Sequence, residues 1–463
     1  MNDCGFEQYI RRAGRCHLVG IGGVSMSPLA ELLHDRGVNV TGSDMNDGPT
    51  VARLRKKGIE VQVGHSAENV SGADFIIRTA AARDDNVEIA CARAQGIPVF
   101  ERAQAWGWIM RGYQNAVCVA GVHGKTTTTS MLTHILLAAQ CDPTVMIGGT
   151  LPALGSGYRI GEGDTIVLES CEYYNSYLNF FPTIAVVLNV ELDHIDFFAN
   201  LDAVKDSFRQ FAALVPQDGA IVCNGDDTNT MDALAPLGRE LFTFGFGDDS
   251  FLRVRGAVVN PIGHNPSMRV LYDGEPFCDI TLGVPGMHNL KNALAAVAAA
   301  ITLGIPAVAI EEGLAGFVGA GRRFEYKGSF NGAHIYDDYA HHPSELKALL
   351  DAVLPLSYNR VILAFQPHTF TRTNAMFDEF AEQLSRADIT YLAQIFSARE
   401  KNEIGITSAD LAAAIPGAQS FPTLQMLAEA VAAQAREGDI ILTVGAGDIF
   451  KVGEQLADAH NES

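Results

Sequence analysis

At 463 residues, 48% of them apolar, the chain is long enough to bury more than one core, and roughly two to four domains are expected. Its 33 Lys and Arg stand against 54 Asp and Glu, and the resulting net charge of −21 excludes a general affinity for nucleic acid or for an anionic membrane surface. A small anionic ligand held by local loops is compatible with that field. The eight cysteines (Cys4, Cys16, Cys91, Cys118, Cys141, Cys171, Cys223, Cys278) are scattered without a CxxC pair, which fits a reduced, cytoplasmic protein without structural zinc. The segment before Cys16 is polar and lacks a hydrophobic stretch of signal-peptide length, and no apolar run is long enough to span a bilayer.

Taken in chain order, "CHLVGIGGVSMSPLAELLHDRGVNVTGSD" reads as an apolar strand, a glycine turn, an amphipathic helix and a second strand ending in an acid, which is a βαβ unit. Strands follow at "DFIIRTA" and "IPVFE", so residues 1–112 are expected to form a Rossmann-like domain. Residues 113–319 carry buried-strand patterns at "AVCVA", "TIVLESCEYY", "IAVVLNVELDH" and "GAIVCNGDD", and a helix at "HNLKNALAAVAAAITLG". Between the last two, alternating runs from "FLRVRGAVVN" to "FCDITLGVPG" predict a small antiparallel insert. Residues 320–463 begin near "GRRFEYKG" and alternate strands ("AHIYDDY", "NRVILAFQ", "ITYLAQIF", "DIILTVGAG") with helices such as "TNAMFDEFAEQLSRA". Three α/β domains follow: a Rossmann-like N-terminal one, a central phosphate-loop ATPase-like parallel sheet, and a Rossmann-like C-terminal one.

Two glycine loops suggest bound phosphate. "GVHGKTTTT" lies between a strand and a helix and contains a GxxGKT form shorter than the standard phosphate loop. Lys125 suits the β- and γ-phosphates and Thr126 a magnesium ion, while backbone N–H groups from Gly124 to Thr127 cradle oxygens. A helix start whose threonines merely cap it is the plain alternative. The earlier loop, with Gly20, Gly22 and Gly23, nearly fits GxGxxG but has Ser25 where the last glycine belongs; Asp44 then stands where a ribose-binding acid lies. Glu169 and Glu172, then Glu191, Asp193 and His194, end neighbouring strands and are candidate oxygen-rich metal ligands.

The motifs "GIGGVSMS", "GVHGKTTTT", "ESCEYYNSYL", "NVELDHID", "GMHNLKNALAA", "GRRFE", "DDYAHHPSE", "FQPHTFTRT" and "GAGDIF" occur in this order over nearly the whole chain, and in this the sequence resembles the Mur ligases. The resemblance implies ATP-dependent amide synthesis in peptidoglycan assembly. A substrate carboxylate attacks the γ-phosphate of ATP, and an amine then displaces phosphate from the acyl phosphate. The motifs fit best the branch whose substrates are UDP-N-acetylmuramate and L-alanine, and the resemblance implies ATP and two Mg²⁺ ions, and a monomer or weak homodimer.

By the same resemblance, Gly22, Gly23, Met26, Ser27 and Asp44 hold the UDP-sugar. Gly121, His123, Gly124, Lys125, Thr126, Thr127, His288, Asn289, Asn292, Arg323 and Asp338 hold ATP. Thr126, Glu169, Glu172 and His194 hold metal, with Glu169 ranked ahead of Glu172. Tyr339, His341 and Arg372 surround the amino acid, and Lys125, His194, His341 and Arg372 carry the chemistry. Some relatives have Arg where this chain has Thr369 and Thr where it has Val122, so amino-acid preference is less determined than reaction class. Lys205 reads as a solvated helix residue. A ligase that attaches a ready-made tripeptide to the same sugar nucleotide, and a non-catalytic nucleotide or muropeptide sensor, are the alternatives.

Overall fold

The computed structural model describes residues 6–11, 14–195, 197–258, 265–398 and 400–461; Cys4 lies outside them. Among the described residues the strands form three sheets. The first contains β1 (Arg15–Val19), β2 (Asn39–Asp44), β3 (Glu60–Val63), β4 (Phe75–Arg78) and β5 (Val99–Glu101), all parallel in the order β3-β2-β1-β4-β5. The order reverses at β1, so the glycine loop after β1 opens at the switch point where ligands of such sheets bind.

The central sheet contains β6 (Asn115–Ala120), β7 (Thr144–Leu151), β8 (Ser156–Arg159), β9 (Thr165–Glu169), β10 (Ile184–Val187), β11 (Ala220–Asn224), β12 (Phe242–Gly245), β13 (Leu252–Val258), β14 (Ser267–Tyr272) and β15 (Glu275–Thr281). Its order is β15-β14-β13-β12-β11-β10-β6-β9-β7-β8. The strands around β6 are parallel and apolar throughout because helices cover both faces. β13, β14 and β15 form the antiparallel insert and extend this sheet at its edge.

The helix Met287–Thr302 is fully buried from Ala293 to Ala300, and its small side chains let it lie close to the helix Lys125–Ala138. A third helix presses on Lys125–Ala138 at Gly313, where a β-carbon would lie 2.5 Å from the Ile135 α-carbon.

The third sheet contains β16 (Glu325–Phe330), β17 (Ala333–Asp338), β18 (Val361–Phe365), β19 (Ile389–Leu392), β20 (Gln419–Ser420) and β21 (Ile440–Val444), in the order β16-β17-β21-β18-β19-β20. One expected helix is divided here: "TNAMFDEFAEQLSRA" spans parts of two helices, Phe370–Ala375 and Phe377–Leu384, broken at Met376 (φ −119°, ψ 32°). The break turns the first of them, which carries Arg372, toward the central unit.

In the first unit Glu88 is fully buried, yet its carboxylate accepts from Ser43 Oγ (2.6 Å) and Asn69 Nδ2 (2.6 Å) and faces His65 Nδ1 (2.9 Å). Burial alone would raise its pKa, but His17, Ser43 and Asn69 bring it down to about 2. A depressed carboxylate stabilises the fold above its unfolded value of 4.5 and loses that contribution as pH falls toward 2. Glu88→Gln is therefore expected to cost on the order of 3 kcal/mol near neutrality and to flatten the acid limb of a denaturant-midpoint profile. An acid limb identical to that of the parent protein would refute this.

Candidate active site

After β6 the chain turns through Gly121 (φ +149°) and Gly124 (φ +83°) into the helix Lys125–Ala138. At Gly124 a β-carbon would also collide with the Asn292 side-chain oxygen. The turn places the helix N-terminus, with its free N–H groups, at a cleft of about 250 Å³. His123, Gly124, Thr126, Thr127, His288, Asn289 and Asn292 line this cleft from the central unit, and Arg323 and Asp338 line it from the C-terminal one. Gly124→Ala is expected to abolish nucleotide binding in a fluorescence titration while the fold persists; unchanged affinity would show that the turn does not need its left-handed glycine.

Lys125 turns toward a buried acid. Its Nζ donates to Glu172 Oε2 (3.1 Å) and to the carbonyl oxygens of Val122 (3.0 Å) and Gly121. Burial disfavours the ammonium, but the facing Glu172 carboxylate outweighs it and holds the pKa above the lysine range. Glu172 also meets His194 Nε2 at 3.2 Å; burial disfavours its carboxylate, but the Lys125 ammonium and the His194 contact hold its pKa below the usual carboxylate range. Glu169 accepts from Thr126 Oγ1 (3.1 Å) and from the Gly148 N–H (2.6 Å). The ranking of Glu169 over Glu172 thus does not match the geometry: Glu172 is the acid that joins Lys125 to His194. His194 itself has φ +51° and stacks on Tyr173, with ring centroids 4.3 Å apart.

Asp193, grouped in the sequence with the metal acids, instead receives Arg372 from the C-terminal unit, at 2.8 Å from Nη2 and 3.3 Å from Nε. The guanidinium overcomes burial and holds Asp193 far below the usual carboxylate range. Arg372 Nη1 lies 3.3 Å from His368 Nδ1.

Nearby, the His341 backbone N–H donates to Glu345 Oε2 (2.9 Å), and its Nδ1 lies 3.0 Å from the Tyr339 carbonyl oxygen. Burial lowers the ring's pKa to about 4, so it is neutral near pH 7. With the Nδ1 proton directed at that carbonyl, Nε2 keeps its lone pair. Arg323 lies over the Tyr339 ring at 4.9 Å. Asp338 is raised to about 6 by burial, against Arg323 and the N–H groups of Ala340 and Phe324.

At the first loop, Gly22 N–H donates to Asp44 Oδ2 (2.9 Å), so this acid closes onto its own glycine turn. The Met26 and Ser27 N–H groups both bond the Gly23 carbonyl oxygen, and the Met26 side chain belongs to the core. Met26 therefore has neither a free N–H nor an exposed side chain to offer a ligand. Ser25 Oγ accepts from Arg102, a cation the sequence reading passed over. Glu345 was passed over too. It faces His123 Nδ1 at 3.2 Å and closes a capping box with His342; Pro343 and Glu345 in "HPSE" were the available signal.

Family models match the chain in three successive blocks: Mur ligase family, catalytic domain (residues 15–114), Mur ligase middle domain (119–300), and Mur ligase, glutamate ligase domain (322–447). The chain belongs to the Mur ligase family. It is 42% identical over 445 residues to the UDP-N-acetylmuramate–L-alanine ligase of Agathobacter rectalis, covering 95% of this chain and 97% of the relative. It is also 42% identical over 452 residues to the enzyme of that name from Caldanaerobacter subterraneus subsp. tengcongensis, covering 97% and 98%.

Among solved structures, UDP-N-acetylmuramate-alanine ligase from Thermotoga maritima superposes with TM-score 0.81 at 28% identity, covering 97% of this chain and 99% of that one. A murein peptide ligase from Psychrobacter arcticus shares the fold of this Mur ligase, with TM-score 0.70 at 22% identity over 96% of this chain and 98% of that one. The sheets described above thus carry the three-part Mur ligase architecture. Among the described residues, no helix is long and apolar enough to cross a membrane.

Proposed function

We propose that this Mur ligase joins L-alanine to the carboxylate of UDP-N-acetylmuramate, using ATP and Mg²⁺, in peptidoglycan synthesis. The observation that carries this reading is the 42% identity to enzymes of that name over nearly the whole chain, together with a cleft at the Lys125 loop shared by two units. The units divide at about residues 112 and 319, with UDP-sugar held by the first, ATP by the second, and amino acid by the third.

Bound ATP supplies the γ-phosphoryl group and Mg²⁺ neutralises its charge. The donor set fits: Thr126 offers a hydroxyl, Glu169 and Glu172 offer carboxylate oxygens, and His194 an imidazole at the same edge. The UDP-N-acetylmuramate carboxylate attacks the γ-phosphorus and displaces ADP, and the amine of L-alanine then attacks the carbonyl carbon of the resulting acyl phosphate, releasing phosphate. Lys125 stabilises charge on the transferring group, which needs alignment and electrostatics more than a protein nucleophile. Arg372 pairs with the L-alanine carboxylate by exchanging it for Asp193. His341, neutral with Nε2 free, accepts the proton lost by the amine.

The test is phosphate release from ATP and Mg²⁺ with UDP-N-acetylmuramate, comparing L-alanine, glycine, L-serine and the L-Ala-γ-D-Glu-containing tripeptide. Release that depends on L-alanine is expected. Turnover with the tripeptide alone would make the protein a recycling ligase, and none with any donor would favour the sensor reading.

A further inference from the structure

Besides the Lys125–Glu172–His194 cluster, one ligand atom from each of His123, Glu191 and His342 lies within 4.8 Å of the other two. Three separate stretches supply them. His123 stands in the loop before the helix Lys125–Ala138, Glu191 follows β10, and His342 caps the helix Pro343–Val353 of the C-terminal unit. His342 is 7% exposed, and its Nε2 has no hydrogen-bond partner. A buried imidazole nitrogen without a partner is costly unless a ligand takes it. As the helix cap its Nδ1 accepts from the Ser344 N–H (3.2 Å), and an ion at Nε2 would shift the ring proton to Nδ1, where Ser344 Oγ at 2.7 Å can accept it.

The geometry points to a site for a divalent transition-metal ion of the Zn²⁺ class at His123, Glu191 and His342, tying the C-terminal unit to the glycine loop of the central one. Two imidazoles and one carboxylate form a ligand set used at open zinc sites, with water as the fourth ligand. Nitrogen donors disfavour Mg²⁺, which wants oxygen. His123 Nε2 and Glu191 Oε2 are already 3.3 Å apart. Tetrahedral bonds of about 2.0–2.1 Å require ligand atoms about 3.3 Å from one another. An outer contact fits as well: His123 presents its other nitrogen, Nδ1, to Glu345 Oε1 at 3.2 Å, the arrangement that orients a metal-bound imidazole, while Ser344 Oγ, 2.9 Å from His123 Nε2 and 2.7 Å from His342 Nδ1, would give up the first contact to the ion and keep the second. Glu191 and Glu345 together supply two negative charges to balance a divalent ion.

Co²⁺ serves as a spectroscopic probe in a titration of the full-length, nucleotide-free protein. The expected result is one Co²⁺ per chain with visible absorption bands and no near-ultraviolet sulfur charge-transfer band. Binding is expected to persist in Cys171→Ser and to weaken about a hundredfold in His342→Asn and Glu191→Gln. Asn at position 342 retains a helix-capping side chain, and circular dichroism of each variant checks folding. A sulfur band would place the ion instead on Cys171, Glu172 and His194, whose ligand atoms also converge. That outcome, unchanged affinity in folded His342→Asn, or no Co²⁺ binding at all would each overturn the proposal.

Discussion

Lys125→Ala is expected to lower L-alanine-dependent phosphate release by at least about 10³-fold, the scale of losing a preorganised charge at a developing oxyanion. Binding of UDP-N-acetylmuramate, measured by calorimetric titration, is expected to persist, because the first glycine loop lies in a separate sheet from the second. Lys125 is also the ammonium that faces Glu172, which is almost wholly buried. Its removal leaves an uncompensated charge and is expected to destabilise the protein by about 3–5 kcal/mol. The double variant Lys125→Ala/Glu172→Gln should recover much of that stability without recovering turnover. Equal loss of sugar-nucleotide binding and turnover in folded Lys125→Ala would mean that the two loops do not serve separate ligands.

Arg372→Ala is expected to reduce kcat/KM for L-alanine on the order of 10²-fold, chiefly through KM, since a bidentate partner for the carboxylate is lost. Arg372→Lys should rescue only partly, because an ammonium lacks the planar fork. In the structure Arg372 spans to Asp193 of the central unit, so a purely structural role has to be separated from substrate binding. Asp193→Asn makes that separation. If Arg372 binds the amino acid, this variant keeps KM for L-alanine near the parent value. If Arg372 only ties the units together, both variants fail alike. Closure of the C-terminal unit on the central one with nucleotide and sugar bound, measured by small-angle scattering, is expected in the parent protein and in Asp193→Asn alike.

Much of the fold was legible because its signals are local. The strand at "AVCVA", the GKT turn and the helix beyond it follow from an apolar run, glycines and helical spacing, and the structure has them as β6 and Lys125–Ala138. The antiparallel insert was legible in its alternation. The helix over "TNAMFDEFAEQLSRA" reads as continuous because its periodicity carries through, whereas the structure breaks it at Met376, and the shorter helix before the break carries Arg372 to Asp193 of another unit. At the candidate site, residue types in the motifs were readable but their pairings were not. Asp193 and Glu172 both look like metal acids, and only their neighbours differ: a guanidinium from 179 positions away for one, an ammonium and an imidazole for the other.

The sequence by itself determined the class of the chain. Its ordered motifs, two glycine loops, alternating strands and helices, and negative charge depend on spacing and composition, which do not need coordinates. Only the tertiary structure decided that His123, Glu191, His342 and Glu345 meet, that Asp44 folds onto its own glycine turn, and that Lys125 rests on Glu172. Those are contacts between separate elements. Charge pairing and desolvation act over a few ångströms in space, and the number of residues between two side chains does not fix that distance.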